Sequence, residues 1–147
     1  VDERCIKCNL QRLLQLQDHC PARGHADARK LLGHHRQQFG HLLETFVVNE
    51  VCKQADWLDE PVDRGHWRTH DGQEVDLVLE RTDGSVLAFE IKAAPDVRAE
   101  DLRGIRALQR RLGTDRVTGL VLHSGTDGWR IEPGLFAVPI ARLWQPS

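Results

Sequence analysis

Two stretches of the chain alternate apolar and polar residues, while others repeat with a period near 3.6. "EVDLVLE" (74–80) and "SVLAFEIK" (85–92) alternate as strands do. Between them Thr82-Asp83-Gly84 carries the chemistry of a hairpin loop, and "HWRT" (66–69) reads as a third strand closed by the Asp71-Gly72 turn. In "HLLETFVVNEVCKQ" (41–54), Leu42, Phe46, Leu43, Val47 and Val51 fill one arc of a helix. Glu50 falls inside that arc and Glu44 at its edge, where a helix serving only a core would not put them; pairing or snorkelling at the rim is the plain alternative. From Asp101 to Leu112 the pattern is helical again. Leu102, Ile105, Leu108 and Leu112 make its apolar side, and Arg103, Arg106 and Arg110 lie together on another. "VTGLVLHSG" (117–125) is a further strand, and "GWRIEPGLFAVPIARLW" (128–144) a short closing hairpin with a last turn of helix. Residues 1 to about 36 read as one or two short helices broken at Pro21 and Gly24.

The charges inside the strands acquire a meaning from the register. With Gly84 in the left-handed position of a three-residue loop, Arg81 pairs with Ser85, Leu79 with Leu87, and Asp76 falls opposite Glu90. Opposed residues share a face with Cβ atoms about 5 Å apart, and Lys92 shares that face too. Leu77, Leu79, Leu87, Phe89 and Ile91 then form the core on the other face. A one-residue slip would scatter the charged trio.

Two carboxylates so close repel unless a cation lies between them. Mg2+ or Mn2+ commonly uses one or two carboxylates with waters and phosphates, so Asp76, Glu90 and the carbonyl of Ile91 are the expected metal ligands. A lysine beside such an ion can orient an attacking water and balance charge building on a phosphate. The spacing therefore suits metal-assisted phosphodiester hydrolysis. A structural salt-bridge cluster is the alternative.

Composition narrows the setting. A chain of 147 residues with 40% hydrophobic and 29% charged residues is one ordinary globular domain in size. The net charge of -2 neither requires nor excludes nucleic acid. No apolar run approaches the roughly 20 residues that span a bilayer and no signal-peptide pattern opens the chain, so a cytoplasmic setting without membrane contact is expected. The chain holds no Met, which reads as a fragment of something longer or a processed product. Cys5, Cys8 and Cys20 with His19 and His25 could make a small zinc site; incidental thiols on a helical segment are the expected reading, because a second closely spaced pair is missing. His66, His70 and His123 are expected as surface or packing residues, and Trp67, Trp129 and Trp144 as packing.

Asp76 followed by Glu90-Ile91-Lys92 on the next strand resembles the signature of the PD-(D/E)XK nuclease superfamily. Gly40-His41-Leu42-Leu43-Glu44 resembles the Gly-x-x-x-Glu opening the first helix of its Holliday-junction resolvase-like members. That resemblance implies an α/β, restriction-endonuclease-like αβββαβ core, its mixed sheet flanked by helices, over residues 37–147. Residues 1–36 would be a helical appendage. By motif match it makes Asp76 and Glu90 metal-binding, Lys92 the residue assisting the water, and Glu44 a support for the metal. Arg103, Arg106 and Arg110 are the expected phosphate contacts to DNA; a solvated helix face is their plain reading.

A second resemblance is closer. "GHLLETFVVNEVCKQ", "HWRTHDGQEVDLVLE", "AFEIKAAPDV", "DLRGIRAL" and "AVPIARLW" together are similar to the carboxy-terminal, nuclease-like domain of unknown function in predicted bacterial and archaeal AAA-type ATPases, from about residue 37 to 145. It implies an ATPase domain in the same longer chain, with DNA as partner. No Gly-x-x-x-x-Gly-Lys-Ser/Thr occurs, so this chain itself is not expected to bind ATP. A catalytically inactive module that binds nucleic acid or a partner beside the ATPase is the alternative function.

Overall fold

A computed structural model describes residues 28–144, and the side-chain environments from residue 38 onward. The described chain runs α1 (Ala28–Ala55), β1 (Val62–Arg68), β2 (Glu74–Arg81), β3 (Val86–Lys92), a 3-10 turn (Ala99–Leu102), α2 (Arg103–Leu112), β4 (Val117–His123), β5 (Trp129–Glu132), β6 (Leu135–Pro139) and a closing 3-10 turn (Ile140–Trp144). The strands make one sheet in the order β1-β2-β3-β4-β6-β5. β1, β2 and β3 are an antiparallel meander, whereas β4 is parallel to both β3 and β6, and β5 closes antiparallel to β6. A parallel step needs a crossover, and α2 supplies it between β3 and β4. The described residues are therefore a mixed α/β fold of six strands and two helices.

The β2–β3 hairpin forms as its turn residues require. Gly84 adopts φ 79°, its N–H donates to the Arg81 carbonyl (2.9 Å), and Arg81 N–H donates to the Ser85 carbonyl (2.9 Å). Asp83 Oδ1 accepts from the Ser85 amide and hydroxyl at 2.8 and 2.6 Å. The register follows: Leu79 opposes Leu87, and Leu77 opposes Phe89.

The expectation of one apolar face and one charged face needs correction. Leu77, Leu79, Phe89 and Ile91 are buried, but so are Val86, Ala88 and Glu90 on the alternate positions of β3, while Leu87 is 36% exposed. β3 is a central strand with a parallel neighbour, and such strands are covered on both sides. Val75, Val86, Ala88, Val117, Val121 and Leu135 pack with Leu102, Ile105 and Leu108. Gly104 allows α2 to sit this close, since a Cβ there would lie 1.8 Å from the Glu74 carbonyl oxygen.

α1 also departs from the pattern reading. It begins at Ala28, earlier than the pattern over 41–54 gave it, and Gly33 and Gly40 lie inside it. Its buried stripe is Leu43, Val47, Val51 and Ala55, every fourth residue, while Leu42 is 59% exposed. Glu50 is buried and pairs with Lys53 Nζ at 3.0 Å. Cys52 is a half-buried free thiol. Cys5, Cys8, Cys20, His19, His25 and the Pro21–Gly24 break lie outside the described residues. Among the described residues, no helix is long and apolar enough to cross a membrane.

Candidate functional site

The sheet is irregular where its charges gather. β1 pairs Gly65 with Val78 but Trp67 with Val75, so Asp76 and Leu77 together face the single residue His66. Such a bulge bends a strand and re-aims a side chain. The β2–β3 pairing runs only to Leu77–Phe89, and the Ile91 N–H beyond it donates to Asp76 Oδ2 at 2.7 Å. The carboxylate of Asp76 is thereby tied to the backbone of the Glu-x-Lys segment.

Glu90 is 8% exposed; its Oε1 lies 2.9 Å from Lys92 Nζ, and its buried Oε2 has no hydrogen-bond partner. Lys92 Nζ also lies 3.6 Å from Oδ1 of Asp101, in the 3-10 turn before α2. Sequence reasoning missed Asp101, since a carboxylate in the first turn before a helix signals only a cap. A cavity of about 350 Å³ opens beside Glu90, lined also by Gln73, Glu74, Asp101, Arg103 and Gly104.

The electrostatics tie these groups together. Burial pushes the Asp76 carboxyl up to about 6; the Ile91 amide opposes the rise, the Glu44 charge adds to it, and Lys92 opposes it. Burial, and then the negative charge of Asp76, push Glu90 up to about 7 against the pull of Lys92. Burial lowers Lys92, but its hydrogen bond with Glu90 and the charges of Glu90, Asp101 and Asp76 outweigh this and raise it, so it remains an ammonium. Asp76, Glu90 and Lys92 thus come together, with Glu44 of α1 near enough for its charge to act on Asp76.

The three arginines of α2 have different surroundings. Arg103 lines the cavity beside Glu90, whereas Arg106 is held by Glu132 (3.0 and 3.2 Å) and lines a separate cavity of about 430 Å³ with Arg110. His66 and His70 are exposed. His123 is wholly buried in register with Lys92, its Nδ1 accepting from the Gly125 amide at 3.1 Å and its Nε2 without a partner. Trp67 packs on the core and Trp144 stacks on Phe46, but Trp129 is 43% exposed, lying over His123.

Residues 39–143 match the family described as Domain of unknown function (DUF4143), and the chain belongs to that family. No curated protein matches it. Among solved structures it is similar to a chain of the refined half-complex from the tetradecameric assembly of Thermococcus gammatolerans McrB AAA+ hexamers with bound McrC. The identity is 16% and the TM-score 0.49, over 68% of this chain and 27% of that one. This chain therefore spans about a quarter of that neighbour's length.

Proposed function

We propose that residues 37–147 are a PD-(D/E)XK-type nuclease domain of restriction-endonuclease-like fold, hydrolysing DNA phosphodiesters with Mg2+ or Mn2+ beside an AAA-type ATPase domain of the same longer chain. The order helix, three strands, helix, strand supports the fold. The observation that carries the activity is half-buried Asp76 beside buried Glu90, with Glu90 Oε2 unpartnered. A buried polar atom left without a partner costs roughly 1–3 kcal/mol, and an oxygen-seeking cation would remove that cost.

Among the described residues no three His, Cys, Asp or Glu side chains stand together as a ready-made ligand set. Two carboxylates fit the metal proposed, because Mg2+ keeps several waters and takes few protein ligands. Asp76, Glu90 and the Ile91 carbonyl would hold it, with Glu44 in support. When bound, the cation supplies Lewis-acid polarisation of a phosphate oxygen and a more acidic water. Lys92 is a cation, so its part is to donate: it orients the attacking water and offers a proton donor to the oxygen gaining charge on phosphorus. The water oxygen attacks phosphorus in line and gives up its proton to solvent, the opposite ester bond breaks, and the leaving oxygen takes a proton from solvent. Arg103, exposed at the rim of the Glu90 cavity, suits a backbone phosphate of the DNA.

The closed Lys92–Glu90 ion pair favours a second reading, a non-catalytic module that binds nucleic acid or a partner. Incubating the protein with single-stranded, duplex and branched DNA in Mg2+ or Mn2+ separates the two. Cleavage that falls at least about a hundredfold in Asp76→Asn supports the nuclease, the order seen when one charge-stabilising group is lost. No cleavage of any substrate leaves the binding module.

A further inference from the structure

We infer that Asp101 is a positioning residue that holds Lys92 in place, a role that rests on reading the carboxylate–lysine cluster as a hydrolytic site. An ammonium has three donors on a flexible four-carbon stem. Glu90 Oε1 takes one donor at 2.9 Å, and a single anchor leaves the group free to swing about that oxygen. Asp101 Oδ1, at 3.6 Å, is too far for a direct hydrogen bond but is a second fixed negative charge from a different element. Two anchors define a position, and the remaining donor capacity is left for a water or a phosphate oxygen.

Asp101 is itself well fixed. Its Oδ2 accepts the Arg98 N–H at 2.8 Å, closing the 3-10 turn, and its side chain is 14% exposed. The turn is anchored, because buried Leu102 ends it, buried Ile105 follows and Gly104 lies against the Glu74 carbonyl. One carboxylate oxygen thus serves the backbone and the other faces the ammonium. The start of α2 is thereby coupled to the lysine on β3, nine residues earlier in the chain. This division of its oxygens argues against Asp101 as a metal ligand.

Asp101→Asn is the test, made in the full chain. The amide keeps an oxygen for the Arg98 N–H, so the turn survives while the charge facing Lys92 is removed. With 15N-labelled lysine, the Lys92 ammonium signal, assigned through Lys92→Arg, should shift and exchange faster with water. Mn2+ affinity by calorimetry should change by less than about threefold. The kcat of DNA cleavage should fall about ten- to a hundredfold with KM little changed, the size of effect when an orienting partner is lost. Asp101→Glu, which keeps the charge, should recover part of that kcat. An unmoved Lys92 signal would overturn the inference, as would a fall in Mn2+ affinity matching the fall in kcat, which would make Asp101 a ligand. Should Asp101→Asn fail to fold, Asp101→Glu is judged on the same signal. Its longer side chain displaces the carboxylate, so an unmoved signal there is equally fatal. A parent that cuts no DNA defeats the nuclease reading alone, and the ammonium signal still decides whether Asp101 holds Lys92.

Discussion

Asp76→Asn should make the metal-free protein more stable at neutral pH, although most changes in a buried polar cluster destabilise. The folded-state values of Asp76, about 6, and Glu90, about 7, lie above their ordinary ones. The folded chain therefore binds more protons than the unfolded chain between about pH 4 and pH 7, and this pair's contribution to stability falls as pH rises through that window. Each tenfold in proton affinity is about 1.4 kcal/mol. After allowance for their coupling and for relaxation, the two carboxylates cost on the order of 2–4 kcal/mol by pH 8. The asparagine oxygen can still accept the Ile91 N–H, while Glu90 loses its charged neighbour. The expected gain is about 1–2 kcal/mol at pH 8, or roughly 3–8 °C in Tm for a domain of this size. Toward pH 4 the folded-state carboxyls are largely protonated and the unfolded-state ones begin to take up protons, so the difference should shrink. Asp71, Asp83 and Glu132, held below the usual carboxylate range by their hydrogen bonds, weaken both proteins alike on acidification and cancel in the comparison. Calorimetric melting of parent and variant in EDTA from pH 4 to 8 reads the effect. A variant that melts no higher than the parent at pH 8, or a gap that does not grow with pH, would refute the reasoning.

Lys92→Ala should keep Mn2+ binding near the parent value at pH 8 while single-turnover cleavage disappears; binding lost together with cleavage would assign the lysine to the metal instead. Arg103→Ala should weaken duplex binding and reduce the salt slope of log affinity by about one, as loss of one phosphate contact does. An unchanged slope would make it a solvated residue. Gly104→Ala should cost about 1–3 kcal/mol in urea unfolding, because the added methyl meets the Glu74 carbonyl oxygen and α2 must shift. A neutral result would contradict that packing.

What was legible in the sequence was local. Asp83-Gly84 fixes a turn, the turn fixes the β2–β3 register, and the register brings Asp76 toward Glu90 and Lys92. What was hidden depends on elements far apart in the chain. The bulge opposite His66 arises from β1 pairing with β2, and Gly65 beside it is the one local signal, missed by starting the strand at His66. Asp101 carries an ordinary capping signal, and its approach to Lys92 exists only once α2 has crossed the sheet. The insertion of β6 between β4 and β5 is likewise non-local; periodicity detected the closing hairpin but not its neighbour. Glu50 had its partner three residues away in Lys53, a local signal that the apolar arc masked. Leu42 and Trp129 look like core residues by type, yet burial follows the packed stripe and the covered strand, not the residue alone.

The central claim is that Asp76 and Glu90 form a divalent-cation site, and titration calorimetry with Mn2+ at pH 8 tests it directly. The parent should show one saturable site, and both Asp76→Asn and Glu90→Gln, still folded, should lose it. No saturable binding in the parent, or the same affinity in all three proteins, would contradict the claim.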